Sequence, residues 1–313
     1  MDYVIKNCPL CKRELPVPDG LKECICMYCG EHFHIDEAMQ EQQQEAEGRQ
    51  ELEAAYLEAS ERIGELVGNH ERLLQRFTRE GYRTCFEEYA MLGESILLPI
   101  QRYARLSDEV RKDVVGAFSL ELMATIDKYI KSNTGLLHKN SKAVLIDQYR
   151  YFLAVYLVPM IGYLKLEIGD LLADRILEEW KKKYPKCEFK KATYEEMAAG
   201  FLRKGFCFIT SAVCETLNKP DDCYELERFR DYRDHYLMNR EDGRKLVEEY
   251  YLVAPRIVAY LNIQPGSEER YRKLWIKYLQ PCLKDIEHSR SKRCQKRYVR
   301  MVHELNRSMP FGD

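Results

Sequence analysis

The chain has 313 residues, 45% hydrophobic and 32% charged, a balance that supports a sizeable core in two or three modules and excludes wholesale disorder. Its 49 basic side chains nearly cancel its 51 acidic ones, for a net charge of −2, which excludes a surface built throughout for nucleic acid and leaves room for a local basic patch. Residues 1–15 lack the apolar core of a signal peptide, and no run reaches the roughly 18 apolar residues of a membrane span. We therefore expect a cytoplasmic protein with no membrane span, whose 12 cysteines serve as metal ligands, buried apolar residues or reactive thiols rather than disulfides.

The first module, residues 1–35, holds two C-x-x-C pairs, Cys8-Pro9-Leu10-Cys11 and Cys26-Met27-Tyr28-Cys29-Gly30, separated by fourteen residues. This is the arrangement of a four-thiolate zinc ribbon. Two residues between thiols let one tight turn aim both sulfurs at a single ion, and Gly30 permits the positive φ that such a turn needs. Pro16-Val17-Pro18-Asp19-Gly20 reads as a turn-rich connection, and 21–26 and 31–35 as short strands. Cys8, Cys11, Cys26 and Cys29 are the expected ligands of one structural Zn²⁺. Cys24 lies close enough to compete, whereas His32 and His34 are expected to stay outside the shell.

Residues 36–80 contain no proline and are rich in Glu, Gln, Ala and Leu, which predicts one long acidic amphipathic helix. Leu52, Tyr56, Ala59, Ile63, Leu66, His70, Leu73 and Phe77 form an a/d repeat that must be buried against another helix. That helix belongs either to a second copy, making a homodimer through 52–77, or to this chain, a choice that Gly64 and Gly68 tilt toward internal packing. His70 is expected to be packed and hydrogen-bonded. Residues 81–189 read as a helical scaffold with breaks near Pro99, 132–135, Pro159 and Pro185. The uncharged run 151–164, interrupted by Pro159, reads as a buried kinked helix too short to cross a bilayer.

In residues 190–266, Thr193-Tyr194-Glu195-Glu196 is a capping box that starts a helix. Beyond it come Gly205-Phe206-Cys207-Phe208-Ile209-Thr210, then Phe229-Arg230-Asp231, Leu237, Gly243-Arg244, Tyr250-Tyr251 and Ala254-Pro255. The order and spacing of these residues resemble the bacterial CFI-box C-terminal domain over about residues 190–263. The resemblance implies a module joined to many unrelated bacterial proteins and no established reaction; Ser211, at a variable position, makes a poor nucleophile. From the residues themselves, Cys207, Cys214 and Cys223 admit three readings. They are core residues, or ligands of a second metal with His235, or they include a reactive thiol, Cys207, with His235 as base and Thr210 as hydrogen-bond partner. The alternating charges from Glu225 to Asp234 read as exposed i,i+3 and i,i+4 pairs, with an anion-reading arginine cluster as the alternative.

The tail, 267–313, is a basic helical segment in which Lys284, Arg290, Lys292, Arg293, Lys296, Arg297 and Arg300 face only Asp285 and Glu287. It suits docking onto the acidic helix as well as it suits nucleic acid. The whole reads as mainly α, with a small N-terminal β zinc ribbon, a long amphipathic helix and a multi-helix body. The function expected is a zinc-binding adaptor with a protein partner. A cysteine-dependent hydrolase or transferase acting through Cys207 is the runner-up, and nucleic-acid binding by ribbon and tail the third reading; no complete catalytic constellation is present.

Overall fold

Exposure alternates along two N-terminal strands, β1 (Tyr3–Asn7) and β2 (Glu14–Pro18), paired antiparallel from Tyr3 opposite Pro18 to Asn7 opposite Glu14. The computed structural model describes residues 3–134, 141–202 and 207–310, and of these the side chains at 36–45 and 202 stay outside the description. Pro16 and Pro18 thus stand in a strand, where a turn-rich connection was expected. In a two-stranded sheet both strands are edges, which tolerate residues without an N–H, and the turn is confined to Asp19 and Gly20, with φ +83° at Gly20. β3 (Glu23–Ile25) and β4 (His32–His34) form the second hairpin, with Cys24 opposite Phe33.

From β4 the chain enters α1 (Ile35–Glu61). The helix expected to run on to residue 80 ends here, and α2 (Glu65–Gly68) and α3 (His70–Gln75) follow as separate short helices. Gly64 and Gly68 weaken the helical register, and the break lets Ile63, Leu66, Val67, His70, Leu74 and Phe77 bury themselves in turn. Phe77 meets Tyr82 edge-on at 4.8 Å between centroids, and His70 stacks on Tyr149 at 4.0 Å. This half of the a/d seam is therefore filled from within the chain.

By its contacts the chain divides into two compact units, 1–59 and 60–313. The segments distinguished at 81, 190 and 267 share the second unit, which is entirely helical among the described residues. α4 (Tyr82–Ala104) runs unbroken through Pro99 because Ile96, Leu97 and Ile100 are fully buried around it. α5 (Asp108–Ser132) starts at Ser107, whose hydroxyl accepts from the Val110 N–H at 3.1 Å, and ends near the expected break. α6 (Lys142–Phe152), a π-turn at Leu153–Leu157 and α7 (Val158–Tyr163) form one helical run. At 22 residues this run is long and apolar enough to cross a membrane, which corrects the shorter estimate, yet 83% of its most apolar window is buried inside the fold.

α8 (Gly169–Lys183) stops before Pro185. α9 (Tyr194–Leu202) opens on the expected capping box: the Thr193 N–H donates to Glu196 Oε2 at 2.9 Å and the Glu196 N–H to Thr193 Oγ1 at 3.2 Å. α10 (Phe208–Thr216) and α11 (Tyr224–Asp231) follow; Gly205 and Phe206 of the motif lie outside the described residues. α11 passes through a π-turn at Tyr232–Leu237 before α12 (Glu241–Asn262). α13 (Ser267–Leu274), a third π-turn at Trp275–Leu279, α14 (Gln280–Glu287) and α15 (Ser291–Arg307) complete the unit, with α10 and α15 both packed on α12.

Candidate metal centre and the C-terminal cysteines

Each N-terminal hairpin carries a cysteine knuckle, and the two repeat one geometry. The Cys8 N–H donates to the Arg13 carbonyl at 3.0 Å and its carbonyl accepts from Lys12 at 2.9 Å; the Cys26 N–H donates to Glu31 at 2.8 Å and its carbonyl accepts from Gly30 at 2.9 Å. Lys12 and Gly30, at matching positions, both adopt positive φ, +61° and +78°. The knuckles bring the four thiols together. Cys8 Sγ lies 3.6 Å from Cys29 Sγ and Cys11 Sγ 3.6 Å from Cys26 Sγ, and all four sulfurs fall within 4.8 Å of one another. A tetrahedron with metal–sulfur bonds of about 2.3 Å has edges of about 3.8 Å, so these residues fit a single four-coordinate ion.

Backbone amides support the sulfurs: Cys11 N–H lies 3.5 Å from Cys8 Sγ and Tyr28 N–H 3.4 Å from Cys26 Sγ. The thiols share protons unequally. Desolvation raises the pKa of Cys26, but N–H groups of Cys29 and Tyr28 and the neighbouring thiols outweigh it and bring Cys26 down to about 6. The Glu31 N–H pulls Cys29 down, while desolvation and the other thiols push it up, with a net rise to about 12. Around the site Leu15, Val17, Phe33 and Ile35 pack with Cys8 and Cys26. Cys24 borders this cluster from its strand and is not among the four, and burial raises its pKa. His32 and His34 remain exposed, paired with Glu23 at 3.5 and 3.2 Å.

Cys207 lies immediately before α10 and is 7% exposed. Desolvation raises its pKa to about 11 against the opposing pull of Arg233 and Arg230, the reverse of what an activated thiol needs. His235 is an exposed side chain whose Nδ1 lies 2.8 Å from Asp231 Oδ1, and no described contact joins it to Cys207. Thr210 Oγ1 lies 3.2 Å from the Tyr298 hydroxyl, so its partner is a tyrosine. Cys214 is fully buried and raised to about 12 by desolvation and by Cys223 beside it. Among the described residues no second group of metal-ligating side chains appears. Cys282 and Cys294, which sequence reasoning passed over, are both fully buried in the helical unit, and the Cys282 thiol lies 3.8 Å from the Cys294 carbonyl.

The arginines of α11 and of the π-turn after it are bound within the fold, and only partly along their own helix. Arg230 reaches back to the carbonyl and carboxylate of Asp221, both at 2.8 Å, and Arg233 holds Asp234 at 2.7 and 2.9 Å and Tyr251 at 3.2 Å. Arg228 and Asp231 form the expected i,i+3 pair at 3.5 Å. In the basic tail, Arg293 and Arg297 converge on the buried carboxylate of Asp285 at 3.6 and 3.2 Å. Comparison of the sequence and structure with family models, curated proteins and solved structures finds no match.

Proposed function

We propose that this protein is a zinc-binding adaptor of a reducing, cytoplasmic compartment, in which Cys8, Cys11, Cys26 and Cys29 hold one structural Zn²⁺. The observation that carries the reading is the closed set of four sulfurs. Thiolates suit Zn²⁺, and four of them fill its tetrahedral shell and leave no position for a water or a substrate. Leu15, Val17, Phe33 and Ile35 make a core too small to hold the hairpins alone. The ion then supplies folding free energy, on the order of 10–16 kcal/mol in small zinc modules. The helical unit, whose residues 190–263 resemble the CFI-box domain, is the docking module for a protein partner.

Burial of Cys207 and the placing of His235 at the surface count against the cysteine-enzyme alternative. The convergence of Arg293 and Arg297 on Asp285 removes part of the charge that a nucleic-acid reading needs. The test is a residue-by-residue alkylation map of the native protein with and without a zinc chelator. The adaptor reading expects protection of the four N-terminal thiols that is lost on chelation, with Cys207 slow in both states. Rapid labelling of the four without chelator overturns the zinc assignment, and labelling of Cys207 faster than a free thiol replaces the adaptor with the enzyme.

A further inference from the structure

The C-terminal part of the helical unit holds a partly open cavity of about 270 Å³, lined by Cys207 and mostly by aliphatic and aromatic side chains, Leu237, Val253, Val299 and Val302 among them. For scale, an apolar cavity of roughly 150 Å³ holds a benzene molecule. Its residues come from five stretches of chain: the residue before α10, α11, the π-turn after it, α12 and α15. The π-turn matters because such segments widen a helix locally and are common at functional sites. Here it supplies Tyr232, Arg233 and Leu237 to the wall.

The buried polar groups at the wall are mostly satisfied within the fold, while Glu249 and His303, which also line the cavity, are exposed to solvent. Tyr250 accepts from the Ile209 N–H at 3.0 Å and from the Tyr298 hydroxyl at 3.3 Å, and Tyr298 also meets Thr210. The Arg233 guanidinium is held by Asp234 and Tyr251. One group is different: Asn306 lines the cavity, and its Oδ1 is shut off from solvent with no donor. A buried carbonyl without a partner costs about 1–3 kcal/mol, a cost that a ligand's donor removes once the amide turns toward it.

We propose that this cavity binds a neutral amphipathic small molecule, with an aliphatic or aromatic body about twice the size of benzene lying along the valines and a hydroxyl or N–H donor directed to Asn306. An anionic end is disfavoured because Arg233 at the wall already has its carboxylate and Glu249 also lines the cavity, and a neutral occupant leaves the exposed Glu249 and His303 in solvent. A helical peptide or second copy is too bulky for a slot of this volume. The proposal does not depend on the metal centre, and it stands or falls separately from the zinc reading.

The test uses the full-length zinc-loaded chain and 2-naphthol, whose fused rings and single hydroxyl match the proposed occupant, followed by its own fluorescence. Saturable binding of one molecule per chain is expected, weakened about tenfold or more by Val302→Trp or Val253→Trp, which fill the slot, with helical circular dichroism unchanged. Asn306→Leu is expected to weaken 2-naphthol about fivefold and to leave naphthalene unaffected. In the wild-type chain, bound 2-naphthol slows alkylation of Cys207 and not of Cys223, a readout that needs no variant to fold. No saturable binding up to millimolar probe, or binding without protection of Cys207, overturns the proposal. So does exclusion of the probe by self-association, which would give the cavity to a second copy.

Discussion

The Tyr82 hydroxyl donates to the carbonyl of Val155 at 2.9 Å, deep inside the helical unit. In a regular helix that carbonyl would receive the N–H of residue 159, which is Pro159 and has none. Tyr82, from the first turn of α4, thus satisfies an acceptor that the proline leaves open, and the π-turn before it takes up the change of register. Tyr82→Phe keeps the ring and removes the donor. We expect a loss of about 1–3 kcal/mol, read as a lowered urea midpoint of helical circular dichroism; an unchanged midpoint contradicts the role.

His70 is completely buried with both ring nitrogens unpartnered, stacked on Tyr149 and edge-on to Tyr129 at 5.0 Å. It is packed as expected, with the Val67 carbonyl nearby but no well-formed hydrogen bond. Burial lowers its pKa from the ordinary 6.5, against the opposing effect of Glu71 and the Val67 carbonyl. The unfolded chain therefore takes up a proton near pH 6.5 that the folded chain refuses. Stability contributed by the neutral ring is intact above about pH 6.5 and is lost as pH falls toward the folded pKa. Between about pH 7.5 and pH 5.5 the wild-type urea midpoint should fall more than that of His70→Phe; parallel falls would contradict it.

Gly243 sits where only a residue without a side chain fits. A Cβ at this position would overlap the carbonyl oxygen of Leu237 and sit 2.8 Å from its carbonyl carbon and Cα. Glycine is what lets α12 start against the end of the π-turn. Gly243→Ala should cost about 1–3 kcal/mol and displace Leu237 in the cavity wall. Thermal unfolding checks the first effect and 2-naphthol affinity the second; an alanine variant as stable as wild type would contradict the contact.

Cys207 should behave as a buried thiol. With its pKa raised to about 11 by desolvation, its alkylation rate should stay low through neutral pH and climb only as the pH approaches that value. The rate–pH profile of Cys207 measured peptide by peptide checks this. A plateau reached near neutral pH would mark an activated thiolate.

The four-cysteine cluster was legible because C-x-x-C spacing is a local geometric demand, met by the repeated Cys8 and Cys26 knuckles. The capping box at Thr193 was legible for the same reason. What escaped was decided by tertiary surroundings. Pro16 and Pro18 look like a turn until a two-stranded sheet gives them edge positions, and Pro99 looks like a break until Ile96, Leu97 and Ile100 hold the helix through it. The a/d repeat correctly marked Ile63, Leu66 and Phe77 as buried, yet periodicity could not reveal that the helix would stop at Glu61 to bury them. The cavity joins Cys207 to Asn306, residues a hundred positions apart, and no local pattern signals it.

The central claim is tested most directly by native mass spectrometry of the chain purified in reducing buffer, reading metal mass and stoichiometry together. The account predicts one zinc per chain, retained in Cys24→Ser and lost in a chain carrying Cys8→Ser with Cys26→Ser, whose helical unit still folds. A metal-free wild-type chain that does not take up added zinc, or zinc retained by the double variant, would contradict it.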